Sequence, residues 1–220
     1  MDGELNLISY HLIHCEKHSE RLEHIDSVIS KLGFPVHIFN GIYVSTDFSS
    51  REEVLSFCKS YDPNFRSNQH LVKPRGAIGA YLSHHLLIKY ISENITSKYS
   101  VIFEDDIILD ETTHNKLIKI INDIEDTHTV FDICYLTNPE KNHGVLIKDN
   151  LYFIDKDKHC FSTAGLLINN ASIPKIYDRN LDVKHEIDTQ YAMCSNLNIL
   201  VGFPSFLKIN YKLKSNIRPW

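Results

Sequence analysis

The chain has no Cys-x-x-Cys pair, no block of basic residues, no apolar run of membrane-spanning length and no Gly-x-Ser-x-Gly turn. Each absence removes a class. The five cysteines, Cys15, Cys58, Cys134, Cys160 and Cys194, are odd in number and widely spaced. They read as free thiols in a reducing, cytoplasmic compartment rather than as a disulfide framework. Lys and Arg number 23 against 28 Asp and Glu and are scattered, so no stripe tracks a phosphate backbone, which argues against nucleic-acid binding. No stretch reaches the length of a membrane span. The opening Met1-Asp2-Gly3-Glu4-Leu5-Asn6 is acidic and poor in apolar residues, which argues against a secretory signal. Without one, Asn94-Ile95-Thr96 and Asn170-Ala171-Ser172 read as chance matches to the glycosylation sequon. The missing Gly-x-Ser-x-Gly turn removes the Ser-His-Asp hydrolase elbow.

What is present is enough for a core. Of 220 residues, 43% are hydrophobic, and no repeat or compositional break divides them, so residues 1–220 read as one globular domain. Leu5 to Ile13 reads as a strand. Ser19 then looks like a helix N-cap, Leu22, Ile25, Val28, Ile29 and Leu32 follow at helical spacing, and Gly33 stops the helix. Val36 to Phe39 is a second short strand. This β–α–β opening implies a parallel pair and a layered α/β fold. Ser50-Arg51-Glu52-Glu53 is a capping box before a short helix, and Tyr61 to Pro74 reads as a loop. Further helices are expected over Ile78–Ile91, around Leu117–Ile124, over Ser172–Tyr177 and over His185–Met193. Strands are expected at Val130–Leu136 and Thr163–Ile168, with a hairpin across Asp149-Asn150. Ile199–Phe203 reads as the last strand, and Lys208–Trp220 shows no period.

Two stretches carry chemistry. In Tyr99-Ser100-Val101-Ile102-Phe103-Glu104-Asp105-Asp106-Ile107-Ile108-Leu109, three consecutive acids end an apolar strand. Ligands in α/β sheets collect at such strand ends. Adjacent carboxylates repel and are costly near a core unless a cation joins them. Residues two apart on an extended backbone face the same way, so Glu104 and Asp106 can share one space while Asp105 faces the other. Oxygen ligation of this kind suits Mg²⁺ or Mn²⁺, whose shells are completed by substrate phosphates and water. An acidic loop that only caps the next helix is the competing reading. The second stretch is Arg75-Gly76-Ala77-Ile78-Gly79-Ala80-Tyr81-Leu82-Ser83-His84. Gly76 and Gly79 sit at a helix start, where free backbone amides and the dipole favour anions. Close packing of helix on sheet would explain the same glycines, and a single His84 is as consistent with a satisfied core residue as with a site.

Together, Gly76-x-Ile78-Gly79-x-Tyr81-Leu82-Ser83-His84 and Glu104-Asp105-Asp106 resemble glycosyltransferase family 25, which includes bacterial lipooligosaccharide galactosyltransferases and collagen galactosyltransferase domains. Leu12-Ile13-His14-Cys15-Glu16-Lys17 through Arg21 resembles the family's opening strand and its following Arg. Thr163-Ala164-Gly165-Leu166-Leu167-Ile168 and Ile187-Asp188 resemble later family segments, and the likeness covers about Leu5 to Ile217. His14 stands where the family usually has Asn, Glu16 where it usually has Asp, Ala77 for a frequent Glu and Ala80 for a frequent Cys.

The resemblance implies a GT-A-like, Rossmann-type mixed sheet flanked by helices. It implies a UDP-sugar donor, Mn²⁺ (or Mg²⁺) and inverting transfer of a galactose or glucose to a glycan or glycoprotein acceptor. By the same likeness Asp106 is the principal metal ligand, and Glu104 holds the metal or the donor ribose. Arg21, Gly76, Gly79, Ser83, His84 and Asp105 line or support the donor site. Lys17 helps bind the nucleotide or forms a surface ion pair. Inversion needs a base for the acceptor hydroxyl, and Asp188 is the candidate. Its carboxylate could equally anchor that hydroxyl or cap a helix. The family substitutions also leave open a non-catalytic carbohydrate- or nucleotide-binding protein of the same fold, and the acids alone leave open a metal-dependent phosphohydrolase.

Overall fold

The computed structural model describes residues 7–69, 75–138, 143–156 and 162–213. Strand β1 (Ile8–His14) leads through a 3₁₀ turn at Ser19–Arg21 into helix α1 (Leu22–Leu32), and β2 (His37–Asn40) follows. Gly33 closes α1 in the left-handed region at φ 68°, where a residue without Cβ is at ease. Ser19 does not cap the helix, because the 3₁₀ turn intervenes and its start has no side-chain cap. Helix α2 (Arg51–Tyr61) is capped as expected by Ser50, whose oxygen accepts from the Glu53 amide at 3.2 Å. The return arm differs: Glu53 accepts from the Ser49 amide at 2.7 Å, one residue earlier than a capping box requires.

Strand β3 (Ser67–Asn68) lies inside the stretch expected to be loop, whose last residues fall outside the described ones. Helix α3 runs Arg75–Asn94, longer at both ends than the apolar period indicates. Then come β4 (Tyr99–Glu104), β5 (Ile107–Ile108), α4 (Thr113–Asp126), β6 (Ile133–Tyr135), and the hairpin β7 (Leu146–Lys148) with β8 (Leu151–Phe153). Asp149 turns that hairpin at φ 48°. The chain continues through β9 (Gly165–Asn169), α5 (Ile173–Asn180), β10 (Asp182–Val183), α6 (Ile187–Ala192), β11 (Ile199–Gly202) and β12 (Lys208–Ile209). The expectation that β11 ends the strands is corrected: β12 pairs antiparallel with β5, and two residues are too few to show a period.

Eight strands form one mixed sheet in the order β2-β1-β4-β9-β6-β11-β8-β7. β1 pairs parallel with β2 and β4, whereas β9 runs antiparallel between β4 and β6. Strand alternation sorts the core into two layers. Ile102, Leu166 and Tyr135 pack with α2, α3, α5 and α6, while Val101, Phe103 and Leu167 pack with α1 and α4. Each such buried side chain contributes about 1.5–3 kcal/mol. This is the expected α/β class: a mixed sheet flanked by helices. Among the described residues no helix is long and apolar enough to cross a membrane.

The register fixes where the loops emerge. Ile13 of β1 lies opposite Glu104 of β4, and His14 lies opposite Asn40 of β2. The chain leaves β1 for β2 on one side and returns to β4 on the other, so three carboxyl ends stand together, the usual seat of ligands in such sheets.

Candidate active site

Those carboxyl ends and the start of α3 enclose a cleft of about 430 Å³. Around it the chain gathers Arg21, Gly76, Gly79, Ser83, His84, Glu104, Asp105 and Asp106, which come from three distant stretches of the sequence. Asp188 does not line this cleft, and neither does Lys17.

Alternation explains the acids. Phe103 faces α1 and α4, so Glu104 turns to the α3 side, where Nε2 of His84 donates to Glu104 Oε1 at 2.9 Å. The Thr163 hydroxyl donates to the same oxygen at 2.6 Å. Burial pushes the Glu104 carboxyl up, but these bonds and the Arg21 charge outweigh it and hold it below the usual range. Asp105 turns the other way. It is buried, with one oxygen 2.9 Å from Nδ1 of His14 and the other taken by the Arg21 guanidinium. The strand has ended by Asp106, whose carbonyl accepts from the Asn210 amide at 2.7 Å. Its carboxyl oxygen Oδ1 is buried without a hydrogen-bond partner. Burial first, then the charges of Glu104 and Asp105, push the Asp106 carboxyl up to about 7. A buried carboxylate oxygen left unpaired beside two other acids is the environment that a hard cation relieves.

Gly79 is also required by packing. Gly79 lies a full turn into α3, and a Cβ there would sit 2.5 Å from the Ile42 carbonyl oxygen. Gly79 is the point where the helix touches the loop after β2. Ser83 secures the same loop: its hydroxyl donates to the Gly79 carbonyl at 2.7 Å and accepts from the Ile42 amide at 2.8 Å. Gly76 is in the first turn of α3 at the cleft edge. Asp188 stands in the first turn of α6 and accepts from the Thr189 amide at 2.6 Å. Burial raises its carboxyl above the ordinary value, and the charges of Glu186 and Glu104 add to the rise against the Thr189 bonds.

Sequence reasoning does not assign Thr163, His18, Tyr43 or Arg75 to this site. Thr163 bonds Glu104, and the other three line the cleft. Thr163 is hidden because its strand reads as core, and Tyr43 because the loop after β2 has no period. Arg75 stands at the edge of the glycine stretch and pairs with Asp47 at 3.3 Å. It bonds the Ser45 carbonyl at 2.7 Å.

The model of glycosyltransferase family 25 (LPS biosynthesis protein) matches residues 8–191. The chain belongs to glycosyltransferase family 25. No curated protein matches it by sequence. Among solved structures it is similar to a 1–349 fragment of S. aureus TarS, with 12% identity, a TM-score of 0.47, and coverage of 89% of this chain and 57% of that one. The same fragment in complex with UDP-GlcNAc gives 12%, 0.42, 89% and 55%. A glycosyltransferase involved in glycosylation of the major capsid of PBCV-1 gives 9%, 0.36, 78% and 65%. The chain thus spans less than two thirds of the length of these structures.

Proposed function

We propose that the chain is a metal-dependent, inverting glycosyltransferase of the GT-A type that moves a hexose, galactose or glucose, from a UDP-sugar to a glycan or protein-linked acceptor. The observation that carries this reading is the buried, unpartnered oxygen of Asp106, which lines the cleft together with Glu104. The residues fit a hard cation. Asp106 would be the first ligand and the unbonded oxygen of Glu104 the second, or that oxygen would take a donor hydroxyl. Among the described residues no group of three or more His, Cys, Asp or Glu is arranged to hold a metal, so the remaining ligands would come from the diphosphate and water, as Mg²⁺-type sites favour. When bound, the cation supplies positive charge where the leaving diphosphate becomes more negative.

The chain's own groups complete the site. His84 and Thr163 hold Glu104 ionised and aimed. Ser83 and Gly79 hold the loop that walls the cleft, and Arg75, paired with Asp47, stands at its rim. Asp188 is the proposed base for the acceptor hydroxyl. Its carboxyl is raised mainly by burial, with Glu186 and Glu104 adding to the rise, which suits a proton acceptor. The binding-only alternative draws on His14, Ala77 and Ala80, of which Ala80 lines the cleft. His14 and Ala77 are buried, and His14 bonds Asp105, so those two substitutions read as packing, and Ala80 is the one that bears on contacts in the cleft.

The test is a screen of nucleotide sugars for hydrolysis and transfer, with and without Mn²⁺. Release of UDP that requires the cation and ends in Asp106→Asn supports the proposal. Release of phosphate from simple esters by the same acids would replace it with a phosphohydrolase.

A further inference from the structure

The three adjacent acids are not equivalent, and the middle one is the most buried. Asp105 is 8% exposed, Arg21 is 5% exposed and His14 is 4% exposed. The Arg21 guanidinium takes one Asp105 oxygen and His14 Nδ1 the other. Arg21 enters this pair from the end of the 3₁₀ turn before α1, and His14 from the last position of β1. The clamp therefore ties the turn after β4 to both ends of the β1–α1 connection. Its position in the strand alternation matters. With Asp105 pinned toward α1, Glu104 is left on the α3 face, and the turn delivers Asp106 to the cleft.

We propose that Arg21 and His14 are positioning residues. Arg21 neutralises Asp105 instead of pairing with a nucleotide phosphate, and the clamp sets the direction in which Glu104 and Asp106 face. This inference rests on the transferase reading of the cleft and revises it in one respect: Asp105 is neither a cation ligand nor a donor contact. Removing one partner leaves a buried charge alone, which is far more disruptive than removing both. Hydrogen bonding, not the charge of Asp105, then holds the turn, and a neutral amide can supply it.

The experiment has two readouts on the intact chain: thermal unfolding without ligand, and calorimetric titration of UDP in Mn²⁺ at a temperature where every variant is folded. The variants are Asp105→Asn, Asp105→Ala, Arg21→Met and the double Asp105→Asn/Arg21→Met. Each single change should lower Tm, and the double should recover at least half of the sum of the losses, as coupled residues do. Asp105→Ala should weaken UDP binding by about tenfold or more through the loosened turn. Asp105→Asn and the double should stay within about threefold of the unaltered chain, because their amide keeps the turn directed. Additive Tm losses would overturn the clamp whether or not UDP binds. Tenfold weaker UDP binding in a double variant whose Tm has recovered would assign Arg21 to the nucleotide. Equal loss in Asp105→Asn and Asp105→Ala would make the Asp105 charge a ligand. Failure of the unaltered chain to bind UDP with Mn²⁺ would instead strike the transferase reading itself.

Discussion

Asp106→Asn should make the ligand-free protein more stable while ending its activity, and the gain should depend on pH. The Asp106 carboxyl is pushed from an ordinary 3.8 up to about 7 in the fold. Below 3.8 folded and unfolded chains both hold the proton and nothing is lost. Between 3.8 and about 7 the unfolded chain releases the proton and the folded chain keeps it, so stability falls as pH rises. Above about 7 the loss is complete. At about 1.36 kcal/mol per pH unit, that interval amounts to roughly 4 kcal/mol. Partial exposure of the carboxyl and relaxation of its neighbours reduce this to about 2 kcal/mol. For a chain of 220 residues, that corresponds to a Tm higher by about 4–8 °C. Differential scanning fluorimetry of both proteins at pH 4.5 and pH 8, in chelator, reads it directly. The variant should lie well above the parent at pH 8 and near it at pH 4.5. A variant that is destabilised equally at both pH values would refute the claim that Asp106 is held against its own charge.

Three further outcomes follow from the geometry. Gly79→Ala places a Cβ 2.5 Å from the Ile42 carbonyl; neither backbone yields cheaply, so the change should cost about 1–3 kcal/mol, read as a lower Tm and a higher KM for the donor. Asp188→Asn should lower kcat by about 10²–10⁴-fold with the donor KM nearly unchanged, and an unaltered kcat would remove Asp188 from the reaction. Thr163→Val removes one of the two donors to Glu104 Oε1. The Glu104 carboxyl should then titrate higher, and the acid limb of the pH–rate profile should move toward neutral pH.

The fold is legible where side chains repeat. The apolar periods of α1 and α4, the apolar run of β4 and the Gly33 stop all carry a physical signal in the sequence, and the structure follows them. The features that local patterning misses are decided by partners far along the chain. Nothing in Gly165–Asn169 announces that β9 runs antiparallel between β4 and β6. Nor does Lys208–Ile209 announce the pairing of β12 with β5. The site divides in the same way. The run Glu104-Asp105-Asp106 is an electrostatic problem in the amino-acid sequence alone. The partition of the three acids is not visible there, because it depends on His14, Arg21, His84 and Thr163 arriving from four other elements. Alternation does separate Glu104 from Asp105, and it leaves Asp106 to the turn. Gly79 has a need for space for a related reason: it comes from the Ile42 carbonyl, which local sequence cannot show.

The most direct measurement is calorimetric titration of UDP into the protein with Mn²⁺ and again in chelator, repeated on Asp106→Asn. Binding should need the cation in the parent protein and disappear in the variant. Equally tight binding in chelator, or in the variant, would contradict it.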